Sequence, residues 1–489
     1  MSPDGLDIII CIVPKIDPDA PTVGPAILKS HLMAAGLSCE VVDLNIKLYN
    51  ALKEHDTHDQ HYFENDKLFG TAYTSAELND DFKKFCVEYD YILMEWMDFF
   101  KRKDPRWIGL SVLSFYSVSM AIKLSQMIRE HMPDVKIVWG GPQIDKGVEN
   151  FKAIGLLDHY ICGDAEFSLI ELIRGNTSAK GIDTPIANQV DLNLVMTPNY
   201  DDINWDEYGD SNIIYLTGSR GCVKRCTFCN VYQIWPEYRF RSGKNIVEEM
   251  KILRNKYGKT EFRFTDSLIN GSMKSFREMM HELIEYRKID DLVTWSSQWI
   301  IRPMHQSPEE DFRLMKESGC VDLEVGIESF SQEVRYHMGK KFTDEDMWWC
   351  FEMLQKYNIR HALLLIAGYP TETEEDHQIT LDTVNKLFDV GYATTKDSTG
   401  RNLIHFSLSN TMVLLNDSPI LKQIKDELTY FEDELVWDYR GNDLFTRLRR
   451  FNETHALIQK RNNGRSGWWM YKKALRMYTE ILEKRDQLK

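Results

Sequence analysis

Short apolar runs alternating with amphipathic stretches organise the first third of the chain. Ile8-Ile9-Ile10-Cys11-Ile12-Val13, bounded by Pro14, has the continuous apolar character of a strand covered on both faces. Gly24 to Ala35 follows, with Ile27, Leu28 and Leu32 at helical spacing, and stops at Gly36. Glu40–Asp43, Trp107–Val112, Lys136–Gly141 and the shorter His159–Gly163 repeat the strand pattern, with helical stretches such as Val118–Met132 between them. The alternation predicts an α/β domain over residues 1–186: a doubly wound, Rossmann-like parallel sheet that binds ligands at the carboxyl ends of its strands. Residues 46–105 form an insertion in it. There Asp90–Arg102 carries an apolar face (Ile92, Leu93, Trp96, Met97, Phe100) that reads as core rather than cofactor box, and Asp56–His61 reads as a polar loop rather than a metal site.

Residues 187–210 are polar, rich in Asp and Asn, and predict a linker. The alternation then resumes over 211–425. Ile213–Thr217, Glu261–Thr265, Leu292–Ser297, Asp322–Ile327, Ala362–Ala367 and Leu403–Leu408 are the strand candidates. Helical segments such as Lys244–Lys256, Ser275–Tyr286, Glu309–Ser318, Asp344–Tyr357 and Thr373–Phe388 separate them. Six such units fit a partial (β/α)6 barrel, whose chemistry belongs at the carboxyl ends of its strands. From about Lys422 the chain reads as helical, so 426–489 is expected to be a helical extension. Arg447-Leu448-Arg449-Arg450 and Lys472-Lys473 look like solvated helix faces, and Gly467-Trp468-Trp469-Met470-Tyr471 like a packed aromatic cap.

Composition narrows the classes. The 489 residues suffice for two or three domains with sizeable cores. A net charge of −16 argues against a nucleic-acid surface as the main function. The N-terminus has no basic n-region and no run approaches membrane-span length, so the chain is expected to be cytoplasmic and free of membrane partners. Of nine cysteines, Cys11, Cys39, Cys86, Cys162, Cys320 and Cys350 are scattered singly and read as buried free thiols.

The other three are not scattered. Cys222-Val223-Lys224-Arg225-Cys226-Thr227-Phe228-Cys229 follows the first barrel strand and the loop Gly218-Ser219-Arg220-Gly221. Three thiolates this close can hold three corners of a cubane [4Fe–4S] cluster and leave the fourth iron open for chemistry. A zinc-bound, small-molecule-sensing module is the competing reading. It would need a fourth ligand, and no other Cys or His lies between Ser211 and Met280.

CxxxCxxC with an aromatic residue before the last Cys, placed after a strand, resembles the radical S-adenosylmethionine (SAM) superfamily. The resemblance implies that the open iron chelates SAM and cleaves it reductively to a 5′-deoxyadenosyl radical. It implies SAM contacts at Thr265-Asp266-Ser267 (Asp266, Ser267), at Ser296 and Gln298, at Glu328 of Gly326-Ile327-Glu328-Ser329, and at Lys340. Gly368-Tyr369-Pro370-Thr371-Glu372-Thr373 resembles a structural turn of the family, with Thr373 capping the next helix. The N-terminal domain resembles the cobalamin-binding domain of many such enzymes. Its family pattern maps to Asp19 and Gly24, to Ser111 and Leu113, and to Gly140-Gly141, with Pro21 in place of the cobalt-ligating His. The expected function is therefore cobalamin-dependent methylation of an unactivated carbon in a small-molecule substrate, with an electron donor such as flavodoxin or ferredoxin. The alternative is a cobalamin-independent cyclase or rearrangement enzyme.

Overall fold

The computed structural model describes residues 5–64, 68–69, 77–144, 147–209, 211–416 and 418–462. Its contacts divide the chain into two units, Met1–Leu216 with Glu249–Thr260, and Thr217–Glu248 with Glu261–Lys489.

The first unit is built on five parallel strands: β1 (Ile8–Ile12), β2 (Cys39–Asp43), β3 (Trp107–Ser111), β4 (Lys136–Gly140) and β5 (His159–Tyr160). They lie in the order β2-β1-β3-β4-β5. The uninterrupted apolar run of β1 has a direct cause. Ile9, Cys11 and Val13 enter one core, while Ile8, Ile10 and Ile12 enter another with Leu32, Leu169 and Leu172. The insertion supplies much of the first core, through Phe82 and Phe85 of helix Asp80–Glu88 and Trp96 and Phe100 of helix Asp90–Lys103. The aromatic face is thus core, as its spacing predicted. Asp59–Glu64 is one π-helical turn instead of a loop, with the His61 ring edge-on to Phe85 and Tyr89.

The segment expected as a linker is anchored. Leu192 and Val195 pack with Val23 and Ile27, Tyr200 is buried with its hydroxyl on the Tyr215 carbonyl (2.9 Å), and Lys29 pairs with Asp202. Its polar composition concealed a few apolar anchors spaced along an irregular path.

The second sheet has six strands: β6 (Ile213–Leu216), β7 (Glu261–Phe264), β8 (Thr294–Trp299), β9 (Cys320–Glu328), β10 (Arg360–Ala367) and β11 (Ile404–Thr411). They follow one another in sequence order, and the pairs from β7 to β11 are parallel. Each strand buries alternate residues under the helices: Phe262 and Phe264, Trp295 and Trp299, Leu323 and Val325, Leu363 and Leu365. The intervening positions form the inner face.

The C-terminal region departs from expectation. After a short 3-10 turn at Lys425–Glu427 the chain leaves the helix: Tyr430–Phe431 pairs antiparallel with Trp437–Asp438, and the next helix runs only from Leu444 to Arg461. Nor is the Arg447–Arg450 cluster wholly solvated. Arg447 is fully buried, stacks on Trp437 (3.5 Å to the ring centre) and donates to the carbonyls of Leu435, Trp437 and Asn442. Arg450 is also buried and donates to the Glu372 carbonyl and the Glu374 carboxylate. Both guanidiniums satisfy backbone acceptors brought together by the fold, which a helical charge pattern does not reveal. Gly467–Tyr471 and Lys472-Lys473 lie outside the described residues. Among those described, no helix is long and apolar enough to cross a membrane.

Candidate active site

The three clustered cysteines lie on an excursion from the end of β6, closed at its base by a two-stranded ribbon in which Ser219 faces Phe240 and Arg220 faces Arg239. Gly221, with φ +84°, turns the chain into the cysteine loop; a Cβ there would lie 2.6 Å from the Glu237 carbonyl oxygen, so only glycine fits. The loop is held from several sides. The Thr227 N–H donates to the Met338 carbonyl (3.0 Å), the Ile420 N–H donates to the Thr227 carbonyl (2.8 Å), and Gly339 leaves space against Cys226. The Thr227 hydroxyl is 2.7 Å from the Tyr369 hydroxyl, and both lie 3.2 Å from the His337 carbonyl.

Cys222, Cys226 and Cys229 are half-buried free thiols. Burial pushes the Cys226 thiol up to about 11 and Cys229 upward too, while the Lys340 ammonium opposes this. Iron displaces such protons on binding, since the ligand is the thiolate. Among the described residues, no three His, Cys, Asp or Glu side chains converge as they would around one ion. A cubane does not require that convergence, because each thiolate binds a different iron. The donor set therefore fits an iron–sulfur cluster better than a closed zinc site.

At the end of β9, Glu328 adopts φ +67° and its carboxylate pairs with Lys340 (3.1 Å), both side chains being nearly buried. Lys340 also donates to the Gly326 carbonyl (2.8 Å) and lies 6.0 Å from the centre of the Phe228 ring, inside the cysteine loop. The predicted SAM residues Glu328 and Lys340 are thus together and beside the cysteine loop. Lys340 has the point charge and the burial suited to the carboxylate of SAM.

The remaining SAM candidates divide. The Asp266 carboxylate is buried, accepts from the Gly218 N–H (2.8 Å) and the Ser219 hydroxyl (2.5 Å), and is pushed up to about 7 by that burial. Its side chain therefore fastens the base of the cysteine excursion. Ser267 is half-buried in the turn after β7. Ser296 and Gln298 both lie on the inner face of β8.

Sequence reasoning missed Tyr369. The turn Gly368–Thr373 does what was expected of it: Thr373 and Asp376 form a capping box for helix Glu374–Asp389. It also braces the cysteine loop through the Tyr369 hydroxyl. The turn is itself pinned, since the Glu372 carboxylate accepts from Gly368 and Tyr369, and Asn442 donates to the Tyr369 carbonyl (2.8 Å). The aromatic residue after Gly368 was the available signal.

In the first unit the strand order reverses between β1 and β3, where an open α/β sheet forms its ligand crevice. The predicted cobalamin residues lie around that rim. Asp19 is exposed after β1, Ser111 and Leu113 are half-buried at the end of β3, and Gly140 and Gly141 end β4. A Cβ at Gly24 or Gly140 would meet nothing within 4 Å, so both leave open surface. Gly141, with φ +110°, would place a Cβ 2.5 Å from the Val112 carbonyl oxygen and is required by packing alone. Lys15 is buried near Phe69 and Tyr116, its ammonium 5.4 Å from the Tyr116 ring centre, and burial lowers it to about 8. The open glycine rim fits a large planar cofactor; Pro21 supplies no ligand to its metal.

Residues 216–384 match the family model described as the Radical SAM superfamily. The chain carries a radical SAM domain over those residues. An uncharacterized methyltransferase of Pyrococcus horikoshii is 25% identical over 341 residues, covering 64% of this chain and 72% of that one. The radical S-adenosylmethionine methyltransferase TsrM of Kitasatospora setae superposes with a TM-score of 0.64 at 16% identity, covering 93% and 89% of the two chains. The cobalamin-dependent S-adenosylmethionine radical enzyme OxsB, with aqua-cobalamin and S-adenosylmethionine bound, gives a TM-score of 0.63 at 15% identity, covering 92% and 66%. At those identities the likeness is one of fold, and it agrees with the α/β architecture read from the sequence.

Proposed function

We propose that this enzyme methylates an unactivated carbon of a small molecule with a [4Fe–4S] cluster, SAM and cobalamin. The observation that carries the reading is the bracing of the cysteine loop against the strand end that holds Glu328 and Lys340. The fold shared with TsrM and OxsB, and the open glycine rim of the first unit, support the cobalamin part.

When bound, the cluster supplies the electron that cleaves SAM, and cobalamin supplies the methyl-transfer centre. The chain's own residues provide ligation, orientation and shelter. Cys222, Cys226 and Cys229 bind three irons. Lys340 holds the SAM carboxylate by charge, and Glu328 keeps that ammonium aimed and accepts from the amino group. Thr227 and Tyr369 fix the loop so that the ligands and Lys340 keep their spacing, which counts because a misplaced reacting group loses rate steeply. Ser296 and Gln298 remain available on the inner face for SAM or substrate.

The test is anaerobic reconstitution of the full chain with iron, sulfide and hydroxocobalamin, followed by a UV–visible spectrum after desalting. Iron–sulfur absorption with retained cobalamin bands supports the proposal, as does SAM-derived methyl on a product. Iron–sulfur absorption without cobalamin bands would move the reading to cyclisation or rearrangement.

A further inference from the structure

The inner face of β9 presents Asp322, Glu324, Gly326 and Glu328 on alternate residues, and two of its three carboxylates have cations. Asp322 pairs with Arg360, and Glu328 pairs with Lys340. Glu324 lies between them, exposed, and its polar partner among the described residues is the Gln298 amide, 3.3 Å away on the neighbouring strand. Among the described residues no cation forms a salt bridge with it. Above it the Glu328–Lys340 pair sits directly over Gly326, where a Cβ would lie 2.9 Å from both the Glu328 carboxylate and the Lys340 ammonium. Two residues before Gln298 on the same face of β8, Ser296 is 93% buried and its hydroxyl has no hydrogen-bond partner among the described residues. On the other side of β9, β10 offers Ala362, Leu364 and Ile366 at the intervening positions, and β11 offers His405 and Ser407.

This surface is asymmetric: an uncompensated carboxylate, an amide and an unpaired hydroxyl on β8 and β9 stand beside an apolar strip on β10. A carboxylate in a site that sheds water is costly unless the ligand brings its counter-charge. An unpaired buried hydroxyl likewise gains from a ligand that donates or accepts. We infer that the substrate of this enzyme carries a basic nitrogen, an ammonium or amidinium, which pairs with Glu324 while its apolar body lies along Ala362, Leu364 and Ile366. Gln298 fixes the carboxylate by donating to one of its oxygens and leaves the other for the ligand. The arrangement selects against an anionic group at this point, because Glu324, the carboxylate of the three with no salt-bridge partner among the described residues, would repel it. It rests on the radical SAM reading of the same inner face and adds the substrate's charge class.

The test uses the full chain, reconstituted with iron and sulfide and saturated with SAM, titrated by isothermal calorimetry with phenethylamine, 2-phenylethanol and 3-phenylpropionate. A charge-assisted hydrogen bond should make the amine bind ~10-fold or more tightly than the alcohol, and the acid should bind weakest. Glu324→Gln should bring the amine-to-alcohol ratio close to one, and Glu324→Asp should restore most of it. Should Glu324→Gln fail to fold, the wild-type ratio decides by itself. Equal binding of amine and alcohol, preference for the acid, no amine binding at millimolar concentration, or an undiminished ratio in Glu324→Gln would overturn the inference. Loss of iron–sulfur absorption or of SAM cleavage in the wild type would instead overturn the reading beneath it.

Discussion

Tyr369→Phe isolates the brace on the cysteine loop, because it removes one oxygen and keeps the ring. The residue is fully buried, and its hydroxyl meets Thr227 at 2.7 Å and the His337 carbonyl at 3.2 Å. A net hydrogen bond contributes about 1 kcal/mol, and leaving a buried partner unpaired costs about 1–3 kcal/mol. Thr227 keeps its own contact with the His337 carbonyl (3.2 Å), so one acceptor remains satisfied. We expect a loss of about 1–2 kcal/mol, concentrated at the loop rather than in the core. Two assays separate those places. Global unfolding should shift only slightly, whereas release of iron from the reconstituted protein to a ferrous chelator should accelerate about 5–30-fold, the factor equivalent to 1–2 kcal/mol. Unchanged iron release would refute the bracing argument. A large fall in melting temperature with unchanged release would place Tyr369 in the core's stability instead.

Three further outcomes follow from the same structure. Arg447→Met should destabilise the fold by about 3–5 kcal/mol, since three backbone carbonyls lose their donor; chemical denaturation of the unreconstituted chain measures it. Lys340→Ala leaves Glu328 nearly buried without its cation and should weaken SAM binding at least tenfold while iron content persists, as equilibrium dialysis with labelled SAM would report. Burial raises Asp43 from 3.8 to about 6. The folded state therefore holds that proton more tightly, so the group's stabilisation is full below pH 3.8 and is lost as pH rises to 6. Asp43→Asn removes this term, and its melting temperature should decline less between pH 4 and 7 than the wild type's; equal slopes would contradict the assignment.

The parts legible in the sequence are those encoded locally. Continuous apolar runs marked β1 and β3, because a strand covered on both faces needs little polarity. Alternation marked β9 and β10, and four- and three-residue spacings marked the cysteine loop. What escaped depends on distant partners. Arg447 and Arg450 looked like surface charge because their acceptors, such as the Glu372 carbonyl, are assembled only by the fold. The Asp266 carboxylate follows a strand end as a ligand contact would, yet it points back to Gly218 and Ser219. Leu192, Val195 and Tyr200 were hidden by the polar residues around them. The hairpin Tyr430–Asp438 interrupts a stretch that reads as helix, and Trp437 gains its burial from a core cluster with Tyr369 and Met412 and from Arg447 stacked on its ring. The carboxylate sequence of β9 could be read in advance, but which of its members lacked a cation could not, because Arg360 and Lys340 lie on other elements.

The anchors of the cysteine loop are all made later than the loop. Thr227 must wait for His337, Met338, Tyr369 and Ile420, and the turn bearing Tyr369 waits in turn for Asn442 and Arg447. On a ribosome adding ~5–20 residues per second, that is a delay of roughly 10–40 s between the last cysteine and the last anchor. During synthesis the three thiols therefore stand for that interval on a segment whose braces have not yet been made.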